Sequence, residues 1–208
     1  MRCNNRCLAI TLGAFLWAVV QPVWSLPAQV ILLRHGHKLG RPGDYNLSPQ
    51  GFARAMQLAD WIPRCFGRPD AIRTYRFDSQ TGQNARSYQT AVPLGVATGI
   101  NISVADRSAQ YSFAEGRRIR TESHYQGKRV VLFWEHRRLP ALAQGLGLSA
   151  FPPVADDDFD QIVVVRYSSP LRPVWQAFSQ RELVSGGLAA RGLCGAQSVD
   201  MSLRWSDH

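Results

Sequence analysis

Val30-Ile31-Leu32-Leu33 runs straight into Arg34-His35-Gly36-His37-Lys38, and the fold is decided at that junction. Four apolar residues without polar alternation read as a strand buried on both faces, as in a parallel sheet covered by helices. A glycine- and charge-bearing loop follows, and Ser48-Pro49 then opens a helix. Ser48 suits the N-cap, Pro49 suits the first helical position, and Leu47 and Phe52 are spaced as a hydrophobic staple. Phe52, Ala55, Met56, Ala59 and Ile62 continue at helical spacing toward a stop at Pro63.

Working outward, residues 71–77 read as a second strand, made more exposed by Arg73 and Arg76. Residues from about 88 to 98 read as a second helix ending near Gly99, and 130–134 as another buried strand. A helix opened by Pro140 runs to Leu146 and stops at Gly147, and 162–165 form one more strand. Residues 100–128 and the carboxyl-terminal stretch carry too little periodicity to assign. The alternation of strands and helices predicts one α/β domain with a mostly parallel sheet and no internal repeat.

The 208 residues are 45% hydrophobic and 19% charged, which suits a single globular domain with a real core. Lys and Arg number 24 against 15 Asp and Glu, a formal charge of +9. That excess admits nucleic acid, an anionic membrane surface or phosphorylated small molecules. No basic and aromatic patch or nucleic-acid motif is present, so nucleic acid is not expected as a partner.

Arg2 and Arg6 precede an uncharged, mostly apolar run over residues 7–20, and Val23-Trp24-Ser25 follows a polar break. This is the layout of a signal peptide cut after Ser25, with 1–25 as leader and 26–208 as the domain. The apolar run falls short of the about 20 residues that span a bilayer, so no stable span is expected after cleavage. The expected location is periplasmic or secreted. Cys3 and Cys7 would leave with the leader, and Cys65 and Cys194 would remain. An even pair in an exported chain invites a disulfide, although two buried free thiols would read the same.

In open α/β sheets, ligands bind beyond the carboxyl ends of strands. His35 closes the first strand and His136 closes the 130–134 strand, so parallel neighbours would bring both to one edge. Histidine nitrogen is a competent nucleophile toward phosphorus, and arginines stabilise a transferring phosphoryl group. Arg34 adjoins His35, and Arg86 enters the second helix from a polar loop on the same side. His35 and His37 also form an HxH pair that could ligate a metal with His124 or His136. Arg34, Lys38, Arg137 and Arg138 crowd that ground, and their charge favours phosphate over a divalent cation.

Four ordered segments, LLRHGHK at 32–38, NLSPQG at 46–51, ARSYQTA at 85–91 and WEH at 134–136, resemble the histidine phosphatase superfamily in its short branch. The resemblance implies a phosphoglycerate mutase-like, three-layer α/β/α sandwich with a mostly parallel central sheet. It implies His35 as the phosphorylated nucleophile, Arg34, Arg86 and His136 as the phosphate pocket, and neither metal nor cofactor. Thr90 and Gly51 match as well, with structural jobs. In mutase-like members a glutamate downstream of the second arginine donates the leaving-group proton, and Glu115 holds that position here. The alternatives are Glu135 and, as in some short members, no dedicated acid; successive strand residues face opposite ways, so Glu135 and His136 could share a pocket only if the strand had ended. Arg137 stands where the phytase-like branch carries aspartate. The expected activity is a phosphomonoesterase with a phosphohistidine intermediate, acting on a phosphorylated small molecule, glycan or envelope-linked phosphoester. A non-catalytic phosphate- or polyanion-binding protein of the same fold is the alternative. Arg117, Arg118, Arg120, Lys128, Arg129, Arg137 and Arg138 suggest an electropositive approach to His136.

Overall fold

The computed structural model describes residues 26–106, 112–151, 153–167 and 173–185, together with Gly187, Gly192 and Cys194. The expected leader at 1–25 lies outside the described residues.

Strand β1 (Gln29–Arg34) is buried at every position. Its even and odd residues serve two cores: Ile31 and Leu33 join one apolar cluster, Val30 and Leu32 the other. That is why the run shows no polar alternation. Strand β1 pairs in parallel with β4 (Arg129–Trp134), which pairs in parallel with β2 (Ala71–Thr74), itself parallel to β3 (Ile102–Val104). On its other side β1 meets β5 (Gln161–Tyr167) antiparallel, and β5 meets β6 (Pro173–Ser179) antiparallel. The order is β3-β2-β4-β1-β5-β6, a six-stranded sheet that is parallel except at one side.

One face is covered by α1 (Pro49–Phe66) and α2 (Ala85–Thr98), through Leu58, Ile62, Phe66, Ala91 and Leu94. The other is covered by α3 (Ser112–Thr121) and α4 (Leu139–Gly145), through Ile119, Leu139, Leu142 and Ala143. The short α5 (Gln180–Val184) buries Leu183 in the first core. The architecture is therefore a three-layer α/β/α sandwich.

Several boundaries differ from the sequence reading. Pro63 does not stop α1, which runs three residues further because Phe66 is buried in the core and holds the last turn. Pro93 likewise lies inside α2, buried, and the helix begins at Ala85 rather than near Tyr88. The earlier start places Arg86 in its first turn. Phe52 does not join the core face of α1, being 53% exposed, and Gly51 and Leu58 take buried positions instead. The second strand ends at Thr74, and Arg73 within it is buried.

Cys65, near the end of α1, is joined by a disulfide to Cys194, closing a loop of 129 residues in sequence. Cys194 packs into the first core, with Cys65 against it. No helix among the described residues is long and apolar enough to cross a membrane.

Candidate active site

The β1–β4 register sets Arg34 beside Trp134, so the chain leaves both strands at the same edge. The His35 N–H still bonds to the Trp134 carbonyl (3.2 Å), and the His35 and His136 rings stand edge to face with centroids 6.4 Å apart. The two strand-end histidines are brought together as their positions predicted.

Backbone contact fixes the loop that leaves β1. A Cβ on Gly36 would come within 2.8 Å of the Gly51 carbonyl oxygen, and one on Gly51 would collide with the His37 backbone. The two glycines let this loop lie directly on the first turn of α1, where Ser48 accepts from the Gly51 N–H (3.1 Å). Thr90 of α2 ties down the other side, accepting from the Gly36 N–H (2.9 Å) and donating to the Arg86 carbonyl (2.7 Å). Gly51 and Thr90 thus hold His35 against Arg86 without touching the pocket chemistry.

His35 Nδ1 lies 2.8 Å from the Gly36 carbonyl oxygen, which can only accept, so Nδ1 carries the proton and Nε2 keeps a free lone pair. Burial, followed by the charges of Arg34, Arg86 and His136, outweighs that hydrogen bond and pushes the imidazole down to about 3. His35 is a neutral imidazole at physiological pH, the form a nucleophile needs.

Around it sits a pocket of about 190 Å³ lined by His35, Lys38, Asn84, Arg86, Ser87, Glu135, His136 and Arg137. Asn84 enters α2 in the left-handed conformation (φ 66°), which a short amide side chain tolerates, and turns the helix start toward the pocket. Arg86 Nη1 donates to the Asp44 carbonyl (2.7 Å), while its Nε is buried with no hydrogen-bond partner. Arg34 Nη1 donates to the carbonyls of Ala155 (2.9 Å) and Asp158 (2.8 Å), and its guanidinium lies 3.8 Å over the Phe159 ring. Arg34 Nε and Nη2 are buried and unbonded, and Arg34 lies behind this pocket rather than among the residues lining it. Burial lowers the pKa of both arginines, that of Arg34 to about 10, so both remain cations near neutrality. Buried cationic donors without acceptors are costly, and an anion bound among them offsets that cost.

Strand β4 ends at Trp134, and a short 3₁₀ turn, His136–Arg138, begins at once. The strand has therefore ended before Glu135, and both Glu135 and His136 line the pocket. His136 Nδ1 lies 2.8 Å from Glu135 Oε1, and Nε2 lies 2.6 Å from Asp156 Oδ1.

Glu115 is not brought to this pocket. It is 1% exposed on α3, where Arg73 donates to it through Nε at 2.6 Å, with Arg118 Nη1 at 4.0 Å. A buried arginine on β2 needs a buried carboxylate, and Glu115 is consumed by that pairing. His37 is also turned away: it stacks on Phe159 with ring centroids 4.4 Å apart and lines a separate cleft with Arg54 and Asp160. The HxH pair thus splits between two environments. No group of three His, Cys, Asp or Glu able to hold a metal ion occurs among the described residues.

The basic segment also divides. Arg137 lines the pocket, but Lys128 and Arg129 lie at the start of β4. Six strand residues at about 3.3 Å each put them on the order of 15–20 Å away, at the opposite edge. Arg118 is paired with Glu122 (2.9 Å). Only part of that cluster can form an approach to His136.

The sequence reading missed the turn at 155–160, which supplies two carbonyls to Arg34, a carboxylate to His136 and the Phe159 ring. Its signal was the acidic run Asp156-Asp157-Asp158 and Asp160 in an otherwise basic chain.

No protein-family model and no curated protein matches the chain. Among solved structures, the fold is similar to that of the protein histidine phosphatase SixA complexed with tungstate, at TM-score 0.53 and 15% identity over 74% of this chain and 99% of that one. It is also similar to phosphoglycerate mutase from Bacillus anthracis str. Sterne, at TM-score 0.51 and 9% identity over 78% of this chain and 98% of that one. At these identities the likeness establishes the phosphoglycerate mutase-like fold.

Proposed function

We propose that this chain is a phosphomonoesterase that works through a phosphohistidine on His35. The observation that carries the reading is the pairing of a neutral, pocket-lining imidazole with three buried guanidinium atoms lacking acceptors: Arg34 Nε and Nη2, and Arg86 Nε. Those donors suit the oxygens of a phosphoryl group beside a nucleophilic nitrogen. The fold likeness to a protein histidine phosphatase complexed with tungstate supports the same reading.

His35 Nε2 attacks phosphorus and the ester P–O bond breaks. The departing oxygen takes a proton from the Glu135 carboxyl group, which lines the pocket, in place of the expected Glu115. Water then attacks the phosphohistidine, the P–N bond breaks, Glu135 accepts the water proton, and inorganic phosphate leaves. The small pocket and its basic rim at Lys38 and Arg137 suit a phosphate monoester of a small molecule, a glycan or an envelope-linked group. Export to the periplasm or beyond is part of the proposal, supported by the leader pattern and by the disulfide, which persists in oxidising compartments.

The test is hydrolysis of a generic aryl phosphate with rapid acid-free quenching to trap the phosphoenzyme. Turnover and trapped label in wild type, both lost in His35→Ala, are expected. Vanadate binding without turnover or phosphoenzyme would leave a phosphate-binding protein instead.

A further inference from the structure

His136 presents its two nitrogens to different surroundings. Nδ1 lies beside pocket-lining Glu135 and is buried without a hydrogen bond. Nε2 makes a 2.6 Å hydrogen bond to Asp156 Oδ1, and Asp156 does not line the pocket. A carboxylate on one imidazole nitrogen fixes the rotation of the ring and decides what the other nitrogen offers, the logic of the carboxylate in catalytic triads.

We propose that Asp156 is a positioning residue: it holds His136 through Nε2 so that Nδ1 is aimed at the phosphoryl group. The inference rests on the phosphate-pocket reading above. Although Asp156 is 69% exposed, its place is set by the turn that carries it. The carbonyls of Ala155 and Asp158, on either side of it, both accept from Arg34 Nη1, and the Asp158 N–H closes back on the Ala155 carbonyl (3.1 Å). The Asp158 carboxylate accepts the Asp160 N–H (2.8 Å), and Asp160 is held by Ser179 Oγ (2.6 Å). One turn therefore sets the orientation of both Arg34 and His136, from a position outside the reacting atoms. The hydrogen bond from His136, then the charge of Arg137, keeps the Asp156 carboxyl below the usual carboxylate range, so it acts as an anion. Arg137 Nη2, 3.3 Å from Oδ2, takes the second oxygen.

The experiment is a double-mutant cycle read by orthovanadate binding, with aryl phosphate kinetics alongside. The proteins are wild type, Asp156→Asn, Asp156→Glu, His136→Ala and the His136→Ala/Asp156→Asn pair. Loss of the orienting carboxylate in Asp156→Asn should weaken vanadate binding by about tenfold, as expected for partners that orient a ligating histidine. Asp156→Glu should recover part of that loss. In the His136→Ala background, Asp156→Asn should cost nothing further, because its effect passes through His136. A merely structural role would weaken binding equally in both backgrounds, and that result overturns the inference, as does wild-type affinity in Asp156→Asn. Wild type that binds vanadate but turns over no ester refutes the phosphatase reading alone. Wild type that turns over with an uncoupled cycle refutes the role of Asp156 alone.

Discussion

Glu115→Gln separates a structural carboxylate from a catalytic one. Arg73 Nε and Nη2 both address Glu115 Oε1, at 2.6 and 2.5 Å, and the two side chains are 9% and 1% exposed. Removing one partner of a buried ion pair costs about 3–5 kcal/mol, because the other charge is left buried without compensation. Glutamine keeps a carbonyl that can accept from Arg73, which places the expected loss near the lower end, about 3 kcal/mol. With a urea slope of about 2 kcal/mol/M, the unfolding midpoint should fall by roughly 1.5 M. Tryptophan fluorescence suits the assay, since Trp134 is buried and donates through Nε1 to Ser112 Oγ (2.9 Å) at the start of α3. Turnover of an aryl phosphate per folded molecule should stay within about twofold of wild type, since Glu115 is not in the pocket. A general acid would instead contribute about 10²–10⁴ in rate. An unchanged midpoint with turnover down a hundredfold would refute the structural assignment and return Glu115 to the reaction.

Two further outcomes are expected from the site. His35 is pushed from 6.5 to about 3, so between those pH values the unfolded chain binds a proton that the folded chain does not, and stability falls as pH drops through that window. Between pH 7 and 4.5 wild type should lose about 2–3 kcal/mol more than His35→Asn in urea titrations, and equal losses would contradict a buried neutral imidazole. Thr90→Val leaves the buried Gly36 N–H without its acceptor and frees the Arg86 carbonyl. It should cost about 1–3 kcal/mol of stability and raise KM for an aryl phosphate more than it lowers kcat, measured by denaturation and steady-state kinetics.

The legible parts of the sequence were those where local chemistry and position coincide. An apolar run ending in Arg-His-Gly had to be a central strand delivering His35 to the ligand edge, and the parallel β1–β4 register then delivered His136. Arg86 was legible because it followed a polar loop into a helix. Helix ends were less so: Pro63 and Pro93 carry a local stop signal, but burial of Phe66 and Leu94 in the first core overrides it. Glu115 lies outside the His35 pocket, because β2 brings a buried arginine beneath α3, which spacing along the chain cannot show. Asp156 was missed for a related reason. It lies 20 residues from His136 in sequence, and only the return of the chain into antiparallel β5 carries it back to that ring.

The chain's positive excess takes a different form in three dimensions. Arg73 is answered by Glu115, Arg118 by Glu122 and Arg64 by Asp60, each by its own carboxylate. Arg34 and Arg86 are answered mainly by backbone carbonyls, which orient a guanidinium without neutralising it. The folded protein thus holds a buried Arg34 and a half-buried Arg86 close enough that Arg86 lowers Arg34, with burial as the larger cause. Such an arrangement costs stability and is retained where a ligand returns the energy. The Asp156 carboxylate is instead committed to His136, through Nε2. That division keeps the arginines available to an incoming dianion while the histidine is held in place, and it gives physical form to a net charge that by itself named no partner.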